Sequence, residues 1–309
     1  PGQTPGNVLI EIKSGKIKGN PTLWSWHIWI VDNYPTVLDV ASQGGDGPKT
    51  VQLMSHLLGA YERVQSQYSA DAYREFGMQY QWGRKDPFPA HDVRVNKNFY
   101  DGSGKLFDFL WEQRGNDVDY GKTDAQQARG AALTMKQSIE HPNAIVSHQS
   151  FWLYECFPHG FVSYFKDRWV FLYPWNQPSR TGNPEDVGGK TVFDPSPYGF
   201  RIMSQKEAVT LRSAYYYASR SGLNTPLPGS IYDGSFTDGK SGGNEVIFAV
   251  AQARSDTHAG RYLLNSTGGP AGWAPTSNTS AVYRRCMTYS VRPVIDPDVQ
   301  EDYKKYLPE

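Results

Sequence analysis

Cysteine, net charge and long apolar runs are all scarce in this chain. Of 309 residues only two are cysteine, Cys156 and Cys286, far apart in sequence. No Cys/His spacing suits zinc, so a zinc site is not expected. In an oxidising compartment the two cysteines could close one long-loop disulfide, and two unrelated buried thiols fit the sequence equally well. The 31 basic residues balance 31 acidic ones. Nucleic-acid binders carry a basic excess or stripe, so no nucleic-acid partner is expected. No apolar run approaches the length of a membrane-spanning helix, which argues against direct membrane insertion. Neither an initiator Met nor a signal peptide is read in the opening residues, and a mature fragment is expected. The chain opens Pro1-Gly2-Gln3-Thr4-Pro5-Gly6, so residues 1–7 read as a linker at the start of a mature fragment.

Aromatic residues and turn formers are abundant. Aromatics make up 14% of the chain, with 20 Tyr and 9 Trp, alongside 30 Gly and 21 Pro. That is the profile of an ordered, loop-rich, β-containing globule. The densest aromatic segment, residues 23–31, holds three tryptophans and alternates with period two. Trp24, Trp26, Ile28 and Ile30 share one parity, which predicts a strand whose apolar face anchors a core or lines a groove, the core being the preferred reading. His27 has the opposite parity and reads as a hydrogen-bonded core histidine.

Further strands are expected at 8–13, 161–173, 245–253, 261–264 and 281–294. A helix is expected over 124–140, capped by Asp124, with Ala128, Ala132, Met135 and Ile139 on one face. A second begins at Ser204, where Ser204-Gln205-Lys206-Glu207 forms a capping box. Gly- and Pro-rich loops are expected at 174–190 and 229–243, and residues 96–123 read as an inserted loop. No repeat or linker divides the chain. One domain over residues 8–296 is expected, with inserted loops at 96–123 and 225–243 and a tail at 297–309.

No Gly-x-Ser-x-Gly elbow is present. Acidic pairs such as Asp117 with Asp119, or Glu185 with Asp186, sit in Gly-rich stretches where solvated charge is the ordinary explanation. No catalytic residue is assigned and an enzyme is not expected, with a carbohydrate-active enzyme kept as an alternative.

Five ordered segments carry a family resemblance. Residues 23–31, with Trp24-Ser25-Trp26-His27-Ile28-Trp29 at their centre, resemble the "WSWHIW" segment of the Fibrobacter succinogenes major paralogous domain family. Gly77-Met78-Gln79-Tyr80-Gln81-Trp82-Gly83-Arg84-Lys85-Asp86-Pro87-Phe88 resembles its "YYQWGRKDPF". Ser138-Ile139-Glu140-His141-Pro142 resembles "SIxNP". Residues 190–201, from Lys190-Thr191-Val192-Phe193-Asp194-Pro195 to Gly199-Phe200-Arg201, resemble "KTIYDPCPxGFR", with Ser196 in place of the cysteine. Tyr289-Ser290-Val291-Arg292-Pro293-Val294 resembles the closing "GFSVRPV".

The resemblance implies a secreted protein, extracellular and either at the cell surface or outer-membrane associated, as in Bacteroidetes fimbrillin-like proteins. The implied fold class is α+β: C-type-lectin-like mixed and antiparallel sheets, two helices and long loop insertions. The implied function is non-catalytic ligand binding of the adhesin or pilus-tip type. The ligand would be a glycan or a surface protein, with fimbrial subunits as further partners, or the domain would be a structural subunit of such an assembly. Some lectin-like proteins of this kind are targets of diversity-generating retroelements. Formylglycine-generating enzymes share the architecture but need a cysteine pair near the C-terminus, where this chain has Cys286 alone. With Ser196 in the family's cysteine position, Cys156 and Cys286 stand as a replacement pair.

Late loops carry the binding surface in lectin-like folds. Here Tyr232, Asp233, Tyr262, Asn265, Trp273 and Asn278 mix aromatic faces with amides and a carboxylate, which suits sugar rings and protein surfaces alike. The plain alternative is that these aromatics cover a loop-rich core. No cofactor is expected. Calcium is the one metal a lectin-like fold raises, and the Glu-Pro-Asn or Gln-Pro-Asp triplet for calcium-dependent sugar binding is missing.

Overall fold

The computed structural model describes residues 5–16, 20–41, 50–63, 74–75, 77–88, 112–114, 135–142, 144–146, 175–178, 187–208, 210, 230–232, 235–237, 245–253, 258–265, 283–284 and 288–299. The strands in chain order are β1 (Gly6–Lys13), β2 (Thr22–Ile30), β3 (Val37–Ala41), β4 (Thr50–Met54), β5 (Gln79–Gln81), β6 (Glu112–Arg114), β7 (Ala144–Val146) and β8 (Asn176–Pro178). They continue with β9 (Val187–Lys190), β10 (Phe200–Arg201), β11 (Ser230–Tyr232), β12 (Ser235–Thr237), β13 (Glu245–Ala253), β14 (His258–Asn265), β15 (Tyr283–Arg284), β16 (Thr288–Ser290) and β17 (Val294–Ile295). Helix α1 is Met135–Glu140, and residues 205–208 and 210 form α2. The fold is mainly β with little helix, in mixed sheets that are mostly antiparallel.

Two sheets organise the core. The four-stranded sheet runs β10-β17-β4-β3, and the five-stranded sheet runs β15-β14-β13-β16-β5. Late strands close onto early ones in both: Val294 pairs with Leu53 and Tyr289 with Tyr80, each antiparallel. Strands β13 and β16 are parallel neighbours. Val40, Val51, Leu53, Leu57, Ala60, Met203, Phe248 and Val250 are buried together and join the two sheets. A second cluster gathers Met54, Phe200 and Ile295, with Trp29 and Val37 packed against it.

The local signals act where the sequence places them. Strand β13 spans the expected residues. At α2 the Ser204 amide donates to Glu207 Oε2 at 2.7 Å, and the Glu207 amide donates to Ser204 Oγ at 3.1 Å. This is the reciprocal capping box. Arg201 adds a two-pronged clamp on the Glu207 carboxylate at 2.9 and 2.8 Å.

Other expectations change. The first strand starts at Gly6, inside the stretch read as a linker. Short strands lie within all three expected loops: β6 within 96–123, the pair β8–β9 within 174–190, and the hairpin β11–β12 within 229–243. The span 281–294 breaks into β15, β16 and the start of β17. The expected strand at 161–173, residues 124–134 of the first helix, and Cys156 and Cys286 lie outside the described residues.

The largest correction concerns the Trp-rich strand. Among the described residues, β2 pairs with β1 alone and no late strand closes against it. The face predicted to be core is open: Trp26 is 45% and Ile28 40% exposed, beside Val8, Ile10 and Ile12 at 47–50% on β1. The inward face carries Ser25, His27 and Trp29 instead. Those three have hydrogen-bonding partners on neighbouring segments, so burying them leaves no polar group unsatisfied. Trp24 shares the parity of Trp26, yet Lys85 Nζ lies 4.6 Å from its ring centre and the Phe193 ring 6.1 Å away.

Candidate functional site

Residues 77–88 form a tight reversal. Gln79 and Phe88 exchange backbone hydrogen bonds at 2.8 and 2.7 Å. Gly83 turns the chain with φ 84°, a conformation that strains any residue with a Cβ. The reversal buries charge as well as aromatic mass. Arg84 stacks over Phe88 at 4.9 Å and donates to the carbonyls of His141 and Pro142 at 3.2 and 3.0 Å, just beyond the end of α1. Burial lowers the Arg84 pKa to about 10, against the raising effect of Asp86, so the guanidinium keeps its charge near neutrality. Trp82 and Trp175 are fully buried 6.2 Å apart, and Trp175 Nε1 donates to the Arg84 carbonyl at 3.0 Å.

Lys85 and Asp86 point the other way, into β2. Lys85 Nζ bonds Asp86 Oδ1 at 2.7 Å and the Ser25 carbonyl at 2.9 Å, and also contacts Ser25 Oγ. Ser25 Oγ in turn donates to Asp86 Oδ1 at 2.6 Å. Burial lowers the Lys85 pKa, and the Asp86 carboxylate opposes that shift.

Two residues further along β2, His27 joins another chain of bonds. Asn7 Nδ2 donates to the Gly59 carbonyl at 2.8 Å, which leaves Asn7 Oδ1 as acceptor for His27 Nε2 at 2.8 Å. The Tyr80 hydroxyl lies 2.9 Å from His27 Nδ1. These contacts assign the neutral Nε2–H tautomer, with Tyr80 as donor. Desolvation lowers the His27 pKa to about 4. The expected hydrogen-bonded histidine is therefore present, and both ring nitrogens are committed.

Ser55 and His56 form a buried pair at 2.8 Å. Ser55 Oγ also accepts the Thr36 amide at 2.9 Å, and His56 packs edge-on against Trp29. Burial lowers the His56 pKa to about 4, helped by Arg292 and Arg63. The hydroxyl and imidazole sit where β3 starts and β4 ends rather than facing solvent, since Ser55 is 0% and His56 4% exposed.

Residues 190–201 form a pinned turn. Asp194 accepts the Ser196 amide at 2.8 Å and the Ile202 amide at 2.9 Å. Burial raises the Asp194 pKa, with Lys190 and the two amides opposing. Lys190 Nζ bonds the carbonyls of Ser196 and Pro197. This bracing fixes Pro195 and Pro197 on one side of a cleft of about 230 Å³. Trp29, Tyr34, Pro35, Phe200, His27, Val31 and Leu58 complete its lining. Trp29 Nε1 is held by the Ala60 carbonyl at 2.9 Å. Tyr34 stands at the mouth, 40% exposed.

The predicted ligand residues are only partly placed. Tyr232 ends β11, while Tyr262 and Asn265 lie on β14, opposite Phe248 and Glu245 of β13. Asp233, Trp273 and Asn278 lie outside the described residues. Sequence reasoning missed the cleft, although its signals were present as Asn33-Tyr34-Pro35 and Asp194-Pro195-Ser196-Pro197. Among the described residues, no group of three or more His, Cys, Asp or Glu is placed to hold a metal ion, and no helix is long and apolar enough to cross a membrane. No protein-family model matches the chain, and neither a curated protein nor a solved structure matches it.

Proposed function

We propose that this chain is a non-catalytic ligand-binding domain of a surface protein, built on the lectin-like plan that its five motif segments resemble. One observation carries the reading. Among the described residues, His27, Ser55, His56, Lys85 and Asp194 are committed to bonds inside the fold, while the cleft beside Trp29 and Tyr34 is lined by aromatic and uncharged residues. Recognition needs a rigid, shaped surface of that kind. Catalysis needs a poised acid, base or nucleophile facing the substrate. In this reading the ligand is a glycan or a protein of a host or bacterial surface, and the late loops at 225–243 and 265–280 extend the contact. The setting is extracellular, at the cell surface or outer membrane.

The test is a glycan array and a panel of surface proteins probed with the 309-residue chain. Saturable binding without turnover, reduced in Tyr34→Ala, supports the reading. Release of reducing sugars from a polysaccharide panel contradicts it.

A second reading, a structural subunit of a fimbrial or surface assembly, is favoured by the open hairpin face of Val8, Ile10, Ile12, Trp26 and Ile28. Contiguous exposed apolar surface of this kind marks interaction sites.

A further inference from the structure

We infer that the β1–β2 hairpin is an acid-operated flap, hinged at Ser25, whose His27–Ile30 end swings off the core and opens the cleft. For the cleft this rests on the ligand-binding reading above, because it names what controls that same site.

Three inward anchors hold β2. Ser25 donates to Asp86 at 2.6 Å and its carbonyl accepts from Lys85 at 2.9 Å, an anchor without an imidazole. Each of the other two depends on one. His27 donates to Asn7 at 2.8 Å and accepts from the Tyr80 hydroxyl at 2.9 Å. Trp29 lies edge-on to His56, with ring centres 6.3 Å apart, and donates to the Ala60 carbonyl at 2.9 Å. Both imidazoles therefore act at one end of the hairpin, where Leu9 pairs with His27 and Gly6 with Ile30. That end gives the cleft His27 and Trp29, while Leu58, Pro195, Pro197 and Phe200 come from other segments. Lifting the end takes one side of the cleft away.

Protonation acts on this end and leaves the hinge. A protonated Nδ1 no longer accepts, so Tyr80 loses its acceptor, and at 0% exposed its hydroxyl has no water to replace it. The surrounding charges are engaged elsewhere. Asp86 and Asp194 act on Tyr80, but Asp86 holds Lys85 and Ser25, and Asp194 holds two backbone amides. On β1, Glu11 pairs with Lys13 at 2.8 Å, opposite Ser25. On α1, which packs against β2, Glu140 pairs with Lys136 at 3.6 Å. The cleft lining adds Tyr34, a neutral phenol in this range. Arg63 and Arg292 act on His56 and oppose a further positive charge. Just past β2, Asp32 meets Arg74 at 3.6 Å, a surface tie of little strength. His27 titrates near 4 when closed and near 6.5 in water, so lowering the pH from 7 to 5 multiplies the open population by about twentyfold, and His56 adds to it.

The test is hydrogen exchange of the full chain, read by mass spectrometry at pH 7 and pH 5 and corrected for intrinsic amide rates. Protection at residues 6–9 and 27–30 should fall about twentyfold or more, to well below that of β13. Low urea should barely change this exchange, because a local opening exposes little surface. Equal protection in the hairpin and β13, or equal acceleration of both by urea, is global unfolding and overturns the flap. His27→Gln, whose amide can both donate and accept, should lose about twentyfold of the pH response. The full response in that folded variant overturns the role of His27. If the variant does not fold, the urea comparison on the unaltered chain decides. A glycan and surface-protein array loaded at pH 7 should release the chain in a pH 5 wash. Retention through the wash while the hairpin opens overturns control of the cleft. An array silent at pH 7 removes the ligand-binding reading and the release with it, and the exchange profile still decides the hinge.

Discussion

Ser25 Oγ donates a 2.6 Å hydrogen bond to Asp86 Oδ1, joining the first hairpin to the reversal at residues 77–88. Lys85 Nζ completes the triangle at 2.7 Å from the same carboxylate oxygen. Both members of the ion pair are buried, at 8% and 3% side-chain exposure. Removing one partner of such a pair leaves the other charge in a poorly solvated site. Asp86→Ala should therefore cost about 3–5 kcal/mol in urea unfolding. Ser25→Ala, which removes a neutral donor, should cost clearly less. Equal losses would mean that the hydroxyl and not the ion pair holds the hairpin.

The two faces of β2 should respond differently to substitution. Trp29 packs on the Met54 cluster and bonds the Ala60 carbonyl, so Trp29→Ala should cost about 3 kcal/mol. Trp26 is 45% exposed, and Trp26→Ser should change stability by about 0.5 kcal/mol or less. Thermal melts of the two variants check this. A large loss at Trp26 would restore the expectation that its face is core.

Gly59 links the hairpin network to the core. Its φ is 86°, and a Cβ there would lie 2.9 Å from the Met78 amide nitrogen and 2.5 Å from Met78 Cγ. Gly59→Ala should destabilise by about 1–3 kcal/mol through the backbone conformation, with the Met78 contact adding to it. Asn7 should also release the Gly59 carbonyl, so amide exchange at residues 58–60 should rise in the variant. Unchanged melting would show that this turn accommodates a side chain.

Stability should fall in acid between about pH 6.5 and pH 4. His27 and His56 both have folded pKa values lowered to about 4 from 6.5. Across that window the unfolded chain binds more protons, so unfolding becomes easier as pH falls. Each proton taken up on unfolding contributes a slope of about 1.4 kcal/mol per pH unit. Asp194 acts in the opposite sense above its ordinary value of 3.8, because burial raises its folded pKa and the native state holds its proton more tightly. Urea midpoints from pH 7 to pH 4.5 should show the decline, and folded His27→Gln should show a shallower one. A flat profile would mean that neither imidazole is desolvated.

The parts of the fold that were legible in sequence are those set by local chemistry. Ser204 and Glu207 find each other within one turn, and the alternation of residues 245–253 shows as one strand. Period-two alternation in β2 revealed two faces but not which one is covered. That choice depends on Asp86, Tyr80 and Ala60, which supply partners to Ser25, His27 and Trp29 from distant segments. The cleft was illegible for the same reason: Tyr34, Leu58 and Pro197 come together only after the chain has folded. Motif residues such as Arg84 and Asp194 carry the charge that draws attention in sequence, yet they brace the backbone from within.

The most direct test is an amide and methyl NMR footprint of the first ligand recovered from the binding panels. The present account predicts shifts concentrated at residues 27–35, Leu58 and 195–200, with continuations into the late loops. Shifts confined to Val8, Ile10, Ile12, Trp26 and Ile28, with the cleft unmoved, would contradict it and make the open hairpin face the site.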